Sequence, residues 1–130
     1  MPETRAFFYQ ENGEAPVKEW LERLRQQDRK GFAKCIARLR ELFQYGHELR
    51  RPAADILRDG IHELRAKKGH VQYRVLYFFH GRDVVILAHA LIKEGSAVPA
   101  TDIERALRRK ERFLQDPRGH VVEALAGEGE

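Results

Sequence analysis

The chain has 130 residues, of which 42% are hydrophobic and 34% are charged, and its formal net charge is +4. This length fits one domain, and no apolar run approaches the roughly 20 residues that a membrane-spanning helix needs. The N-terminus lacks the apolar core of a signal peptide, and a single cysteine, Cys35, excludes an internal disulfide. These features predict one cytoplasmic domain, with no membrane contact, and the excess of cations favours a polyanionic partner.

The N-terminal third predicts one strand followed by two helices. Residues 5–9 are short and aromatic and precede an Asn-Gly turn, which is typical of a strand. Pro16 begins the first helix, because its missing N–H does no harm in a first turn. Asp28 caps the second helix, and Gly46 ends it. Apolar residues recur with a 3.6-residue period along both helices.

The segment from residue 47 to residue 59 has no clear period and predicts a connection. Three strands rich in β-branched and aromatic residues follow, and the short polar turns between them suit antiparallel hairpins. These strands are residues 61–65, 73–79 and 84–93. A last helix begins at Thr101, where Thr-Asp-Ile-Glu is a capping-box pattern, and Asp116-Pro117 ends it.

The predicted order is therefore βααβββα, which indicates an α+β fold. We expect a small antiparallel sheet packed on one face by the two N-terminal helices, with the C-terminal helix at the edge of the sheet. Residues 1–116 would form the domain. Residues 117–130 are dominated by Gly, Ala and Glu and predict a flexible C-terminal tail.

The sequence has no metal-ligand spacing, no phosphate-binding glycine loop and no recognisable nucleophile motif. Its unusual feature is a cation on each of the three consecutive strands, namely Arg65, Arg74 and Lys93, where burial would be costly. Period-two alternation places His89 on the same face as Lys93. Because the sequence does not fix strand register, the convergence of these four side chains is a hypothesis.

Converging cations would stabilise the anionic transition state in which an RNA 2′-hydroxyl attacks the adjacent phosphate. Other cations near this stretch and on the last helix are predicted to bind RNA: Arg58, Lys67, Lys68, Arg105 and Arg109. On the residues alone, the alternative is that strand cations are edge or salt-bridge residues.

Several segments in a fixed order carry a family resemblance. They are Gly60–Arg65 (Gly-Ile-His-Glu-Leu-Arg), Tyr73–Phe78 (Tyr-Arg-Val-Leu-Tyr-Phe), the strand that ends at Lys93, and Ile103–Ala106 (Ile-Glu-Arg-Ala). Over about residues 5 to 115, the chain resembles the HigB-like, phage-derived branch of the RelE/ParE toxin superfamily. The resemblance implies the RelE-like α+β fold and a type II toxin. That toxin would be a metal-independent endoribonuclease, without cofactor, that cleaves messenger RNA on the ribosome and inhibits translation.

The resemblance also implies partners and residue roles. The partners are messenger RNA, the ribosome and a cognate antitoxin, commonly a helix-turn-helix DNA-binding protein. Arg74 would stabilise the transition state and Arg65 would orient the phosphate, while Lys93 matches the lysine after the last strand. The family often has two lysines there, and this chain has Glu94 at the second position.

Other assignments stay open. His89 and Tyr73 are candidates for the general acid and base, although Tyr73 alternates to the face opposite Arg74. The protein could instead be a ParE-like toxin that inhibits DNA gyrase by binding. A third alternative is a degenerate member that binds only antitoxin or RNA, and Glu94 is the feature that favours it.

Overall fold

A computed structural model describes residues 4–123. Within these residues, three helices and six strands form a mixed α+β domain, which confirms the predicted class. The elements are β1 (Arg5–Tyr9), α1 (Pro16–Gln27), α2 (Arg29–Tyr45), β2 (Ala54–Arg58), β3 (Ile61–Lys68), β4 (Val71–His80), β5 (Val84–Lys93), α3 (Ala100–Gln115) and β6 (Val121–Glu123). The strands form one sheet in the order β2-β3-β4-β5-β1-β6.

Local sequence signals set the bounds of the first two helices as predicted. Pro16 occupies the first position of α1. Asp28 caps α2, and its carboxylate accepts a hydrogen bond from the Gly31 backbone N–H at 3.0 Å. Gly46 ends α2 at a φ of +53°, a conformation that glycine adopts at little cost.

The strand pairing is only partly antiparallel. The β3–β4 and β4–β5 hairpins are antiparallel as expected, whereas β1 lies parallel to β5. The predicted all-antiparallel sheet is wrong at this pair. A long helical connection follows β1, and such a connection does not force the reversal of direction that a tight hairpin does.

Two short strands lie where the sequence indicated irregular chain. The predicted connection 47–59 contains β2, a five-residue edge strand with a bulge between Ile56 and Arg58, so its hydrophobic alternation is weak. The predicted flexible tail 117–130 contains β6, which pairs antiparallel with β1 through Val121–Glu123. Three residues are too few to show a period. The remainder of that tail, residues 124–130, lies outside the described residues.

Helices cover both faces of the sheet. The helix-pair face packs against α1 and α2, and its buried strand residues include Leu64, Val75, Tyr77, Val85 and Leu87. The α3 face packs against α3, and its buried strand residues include Tyr9, Ile61, Leu76, Phe78 and Ile86. The C-terminal helix therefore lies on the opposite face and not at the edge as predicted. Its amphipathic surface requires an apolar face to cover, and the second face of the sheet supplies one.

The start of α3 determines how much of the α3 face is covered. The helix begins at Ala100 after Pro99, and no side chain caps it, so the predicted capping box is wrong. Asp102 instead contacts the Nε2 atom of His89 at 2.6 Å. The helix consequently begins level with His89 and leaves the adjoining ends of β3, β4 and β5 uncovered. None of the helices within residues 4–123 is both long and apolar enough to cross a bilayer.

A candidate phosphate-binding site

Two rows of side chains occupy the uncovered end of the α3 face. Strand register pairs Arg65 with Arg74 and Arg74 with Leu91 in one row. It pairs Lys67 with Gln72 and Gln72 with Lys93 in the next row. Directly opposite residues of antiparallel strands have Cα atoms about 5 Å apart, and their side chains share a face. Four cations of the three strands thus lie close together.

The edge of β3 is open beside these rows. The last backbone contact from the β2 side is a 2.8 Å hydrogen bond from the Arg65 N–H to the Ala53 carbonyl. Arg38 of α2 reaches the same edge, where its Nε–H donates to the Arg65 carbonyl at 2.9 Å. Arg51 approaches from the loop before β2. Beyond Arg65, β3 has no strand partner on this side among the described residues.

A pocket of about 250 Å³ forms at this edge. We call it the arginine pocket, and its polar lining comprises Arg38, Arg51, Arg65, Lys67, Gln72 and Arg74. Among the described residues, no carboxylate lines it. A concave site with several guanidinium groups and no acid suits a phosphate group, which arginine binds through two parallel hydrogen bonds.

Three of the five cations have an acidic partner outside the pocket. Arg38 pairs with Glu41 at 3.0 Å, Arg51 with Asp55 at 2.6 Å, and Arg74 with Glu63 at 3.1 Å. The Arg51 guanidinium lowers the pKa of Asp55 below its ordinary value. Within the part of the chain that the structure describes, Arg65 and Lys67 have no carboxylate within 4.0 Å. These two cations give the pocket its excess of positive charge.

Arg74 differs from the other cations because it is buried. Its side chain is 2% exposed, and its guanidinium donates to Glu63, to Gln72 and to its neighbour's carbonyl oxygen. Burial lowers the pKa of Arg74, and the adjacent Glu63 carboxylate opposes this shift. The charge is thus held in a fixed orientation at the floor of the pocket.

His89 lies on the expected face but not in the pocket. It occupies the next row inward, beneath the first turn of α3. Its Nε2 contacts Asp102 at 2.6 Å, and its Nδ1 lies 3.4 Å from an Arg109 Nη atom. Burial lowers its pKa below the ordinary value. Through these contacts His89 connects β5 to α3. The catalytic role of His89 stays a prediction.

Lys93 lies in the outer row, opposite Gln72, and is half-buried. Its ammonium group donates to the Ser96 carbonyl at 3.3 Å. Lys93 therefore shares the face of the two arginines without lining the arginine pocket. The next residue, Glu94, is exposed and lies after the strand end.

The five predicted RNA-binding residues separate widely. Lys67 lines the pocket, whereas Lys68 points to the helix-pair face and contacts Asp28 at 2.6 Å. Arg58 pairs with Asp59 at the end of β2, at 2.9 Å. On α3, the exposed Arg105 lies outside the pocket, and Arg109 donates to the Ala88 carbonyl at 2.6 Å. The structure thus brings one of these five residues into the pocket.

Tyr73 lies on the helix-pair face, as alternation predicted. Its hydroxyl donates to Asp28 at 2.5 Å, and its side chain is buried. Burial and the Asp28 carboxylate raise the pKa of Tyr73 above its usual range. Tyr73 is consequently separated from the pocket by the sheet and is unsuited to proton transfer there.

Arg38, Arg51 and Gln72 are the polar pocket residues that sequence reasoning did not select, and simple alternation places Gln72 on the strand face of Arg74. Arg38 lies among the cations on the outer side of α2, a pattern that is typical of a solvated helix face. Its position three residues after the buried Cys35 places it beside the apolar stripe, and this spacing is the one signal that could have indicated it. Arg51 lies in a loop, and nothing in its local sequence indicates that it faces β3.

Among residues 4–123, no three histidine, cysteine or acidic side chains are grouped closely enough to hold a metal ion. No curated protein sequence matches the chain. The sequence profile of the family described as "Phage derived protein Gp49-like (DUF891)" matches residues 19–111, which include α2, both hairpins, the arginine pocket and most of α1 and α3. This match confirms the predicted relationship at the level of RelE-like, toxin-like families, whereas the HigB-like branch stays a prediction. The chain belongs to the phage-derived Gp49-like protein family.

Proposed function

We propose that this protein is the toxin of a type II toxin–antitoxin pair and cleaves messenger RNA on the ribosome, thereby inhibiting translation. The observation that carries the proposal is the arginine pocket, in which Arg65 and Lys67 lack acidic partners among the described residues and Arg74 is fixed in the floor. Membership of the Gp49-like family supports the toxin assignment.

The proposed reaction is attack of a 2′-hydroxyl oxygen on the adjacent phosphorus. The new O–P bond forms as the bond to the 5′-oxygen breaks, which leaves a 2′,3′-cyclic phosphate and a free 5′-hydroxyl. One proton leaves the nucleophile and one reaches the 5′-oxygen. The five-coordinate transition state carries more negative charge on its oxygens than the substrate, so preorganised cations lower its energy.

The pocket residues divide this work. Arg65 is half-buried and faces the pocket, which suits a guanidinium that orients the phosphate. Arg74 is held rigidly and contributes a fixed positive charge, so its field needs no reorganisation during the reaction. Lys67 and Lys93 lie in the outer row on either side of Gln72, where an ammonium group can donate a proton to the leaving oxygen.

We further propose that the cognate antitoxin covers the arginine pocket with an acidic segment. The pocket offers cations without a lining carboxylate, and charge complementarity favours an acidic partner on such a surface. Occupation of the pocket would exclude RNA phosphate. A complex that blocked toxicity while leaving Arg65 exposed would contradict this mode of inhibition.

The test is cleavage of a messenger RNA on programmed ribosomes by the wild type and by Arg65→Ala. The matched control is Arg23→Ala, which removes an exposed arginine of α1 outside the pocket. We expect cleavage by the wild type and the control and a severe loss in Arg65→Ala. Growth arrest without cleavage by the wild type would contradict the nuclease and favour a binding target such as DNA gyrase.

A further inference from the structure

Three protein acceptors surround the guanidinium of Arg74. Its Nε–H donates to the Glu63 carboxylate at 3.1 Å, and one Nη donates to the Tyr73 carbonyl at 3.0 Å. The other Nη donates to the carboxamide oxygen of Gln72 at 2.8 Å. Two of its five N–H groups are therefore left without an acceptor among these three residues.

The three acceptors differ in how easily they can be replaced. The Glu63 carboxylate is 10% exposed, so its departure would leave a buried charge without a partner. The Tyr73 carbonyl belongs to the backbone of a central strand. Gln72 is half-buried and lines the arginine pocket, and its side chain can rotate away while its backbone stays in place. Gln72 is the acceptor that can turn away without disturbing the sheet.

We propose that Gln72 is an exchangeable ligand of Arg74. In the free protein its carboxamide oxygen occupies the position on the Arg74 Nη atom that a phosphate oxygen takes when single-stranded RNA binds. This inference rests on the proposed function for its ligand, an RNA phosphodiester. The exchange replaces a neutral acceptor with an ionised one, and hydrogen bonds to ionised acceptors are roughly twice as strong.

The surroundings of Gln72 favour this exchange. Lys67 and Lys93 are its direct cross-strand neighbours, so an anion that displaces its side chain arrives between two ammonium-bearing residues. Arg65 lies opposite Arg74 in the adjoining row. The displaced carboxamide keeps its own donors and acceptor available to water at the pocket mouth. Gln72 would thereby keep the buried guanidinium satisfied until substrate arrives.

The experiment compares Gln72→Ala and Gln72→Glu with the wild type. The probe is a single-stranded RNA whose 2′-hydroxyls are all methylated, because such an RNA binds without being cleaved. Its Kd is measured by fluorescence anisotropy at fixed salt. Gln115→Ala and Gln115→Glu are matched controls, since Gln115 is exposed at the end of α3 and the same changes occur there outside the pocket.

We expect Gln72→Ala to lower the Kd about fivefold, because RNA no longer has to break the hydrogen bond between Gln72 and Arg74. This factor corresponds to the net free energy of one typical hydrogen bond. Gln72→Glu should raise the Kd by about tenfold or more, because a carboxylate competes for Arg74 as an ion pair. Gln115→Glu should change the Kd much less. Thermal unfolding checks that each variant is folded, and Gln72→Asn replaces Gln72→Ala if the latter is not.

Two results would overturn the exchange. A Kd that is unchanged or raised in Gln72→Ala would show that Gln72 is a brace or a direct ligand of RNA. Equal effects of Gln72→Glu and Gln115→Glu would show that only net charge matters. Because the probe cannot be cleaved, Kd values that change as expected in the Gln72 variants, with no cleavage of ordinary RNA by the wild type, would refute the nuclease and leave the exchange supported.

Discussion

Two charged clusters lie on opposite faces of the same strand ends and differ in how their charges are balanced. On the helix-pair face, Asp28 accepts hydrogen bonds from Lys68, Tyr73 and the Gly31 backbone. The Asp28 carboxylate therefore balances the positive charge of Lys68 within the protein. On the other side, the arginine pocket holds cations in excess. Lys67 and Lys68 are adjacent in sequence, yet they belong to different clusters, because successive strand residues point to opposite faces.

The difference shows that residue type alone does not separate a cation that is available to a ligand from one that is bound to an acid of the same chain. Lys68 links β3 to the start of α2 through Asp28, in a cluster whose charges balance. Lys67 meets no acid within the described residues and is available to a ligand. Arg74 is intermediate, since Glu63 balances its charge while it still lines the pocket.

The largest effect should come from removing the Glu63 carboxylate, which balances the charge of the buried Arg74. Glu63→Ala leaves a buried guanidinium without its carboxylate, and such changes cost about 3–5 kcal/mol of the free energy of unfolding. Urea denaturation measures this directly. Glu63→Gln, which keeps an acceptor near the guanidinium, should lose less stability. Equal losses in the two variants would show that packing, and not charge balance, dominates at Glu63.

The second-largest effect should come from removing Arg65, a cation of the arginine pocket without an acidic partner among the described residues. Arg65→Ala should reduce single-turnover RNA cleavage by about 100-fold, the usual cost of removing one preorganised transition-state donor. Its free energy of unfolding should change little, because the Arg65 side chain is half-buried and lacks an acidic partner among the described residues. An Arg65→Ala protein that is folded and fully active would place the site elsewhere.

The neighbouring lysines give the sharpest contrast. Lys67→Ala should weaken RNA binding several-fold and reduce its salt dependence, because one phosphate contact is lost, and should leave stability unchanged. Lys68→Ala should lower the thermal unfolding temperature, because Asp28 loses its cation, and should leave RNA affinity nearly unchanged. Anisotropy and thermal unfolding on both variants measure the two properties. Identical behaviour would remove the distinction between the clusters.

The smallest expected effect is a change in the free energy of unfolding at acid pH. Hydrogen bonds from Lys68, Tyr73 and the Gly31 backbone lower the pKa of Asp28 from 3.8 to about 2. A carboxyl with a lowered native pKa stabilises the fold above its unfolded pKa and loses that contribution as pH falls toward the native value. Stability should therefore decline as pH falls from about 4 to about 2, and Asp28→Asn should flatten this part of the curve. Unfolding by urea across this range measures it, and an unchanged slope in the variant would contradict the assignment.

Strong local patterns allowed much of the fold to be predicted. Pro16 and Asp28 located the starts of two helices, and alternation separated Tyr73 from Arg74 correctly. The edge strand β2 and the face covered by α3 could not be predicted, because they depend on which elements meet in space. The same limit applies to the site. Arg65 and Arg74 lie opposite each other in the strand register, which the sequence does not fix. Arg38 and Arg51 reach the pocket from outside the sheet.

The contact between Arg38 and the open edge of β3 also bears on self-association. An exposed strand edge offers backbone groups to any other strand, which makes it a starting point for aggregation. The Arg65 carbonyl accepts a hydrogen bond from the Arg38 Nε–H, and the Arg65 N–H donates to the Ala53 carbonyl. The backbone of Arg65 therefore has no free group with which to pair with a strand of a second chain. Like charges on two such edges would repel each other. The cations that line the pocket thus also protect the sheet from growing by one more strand.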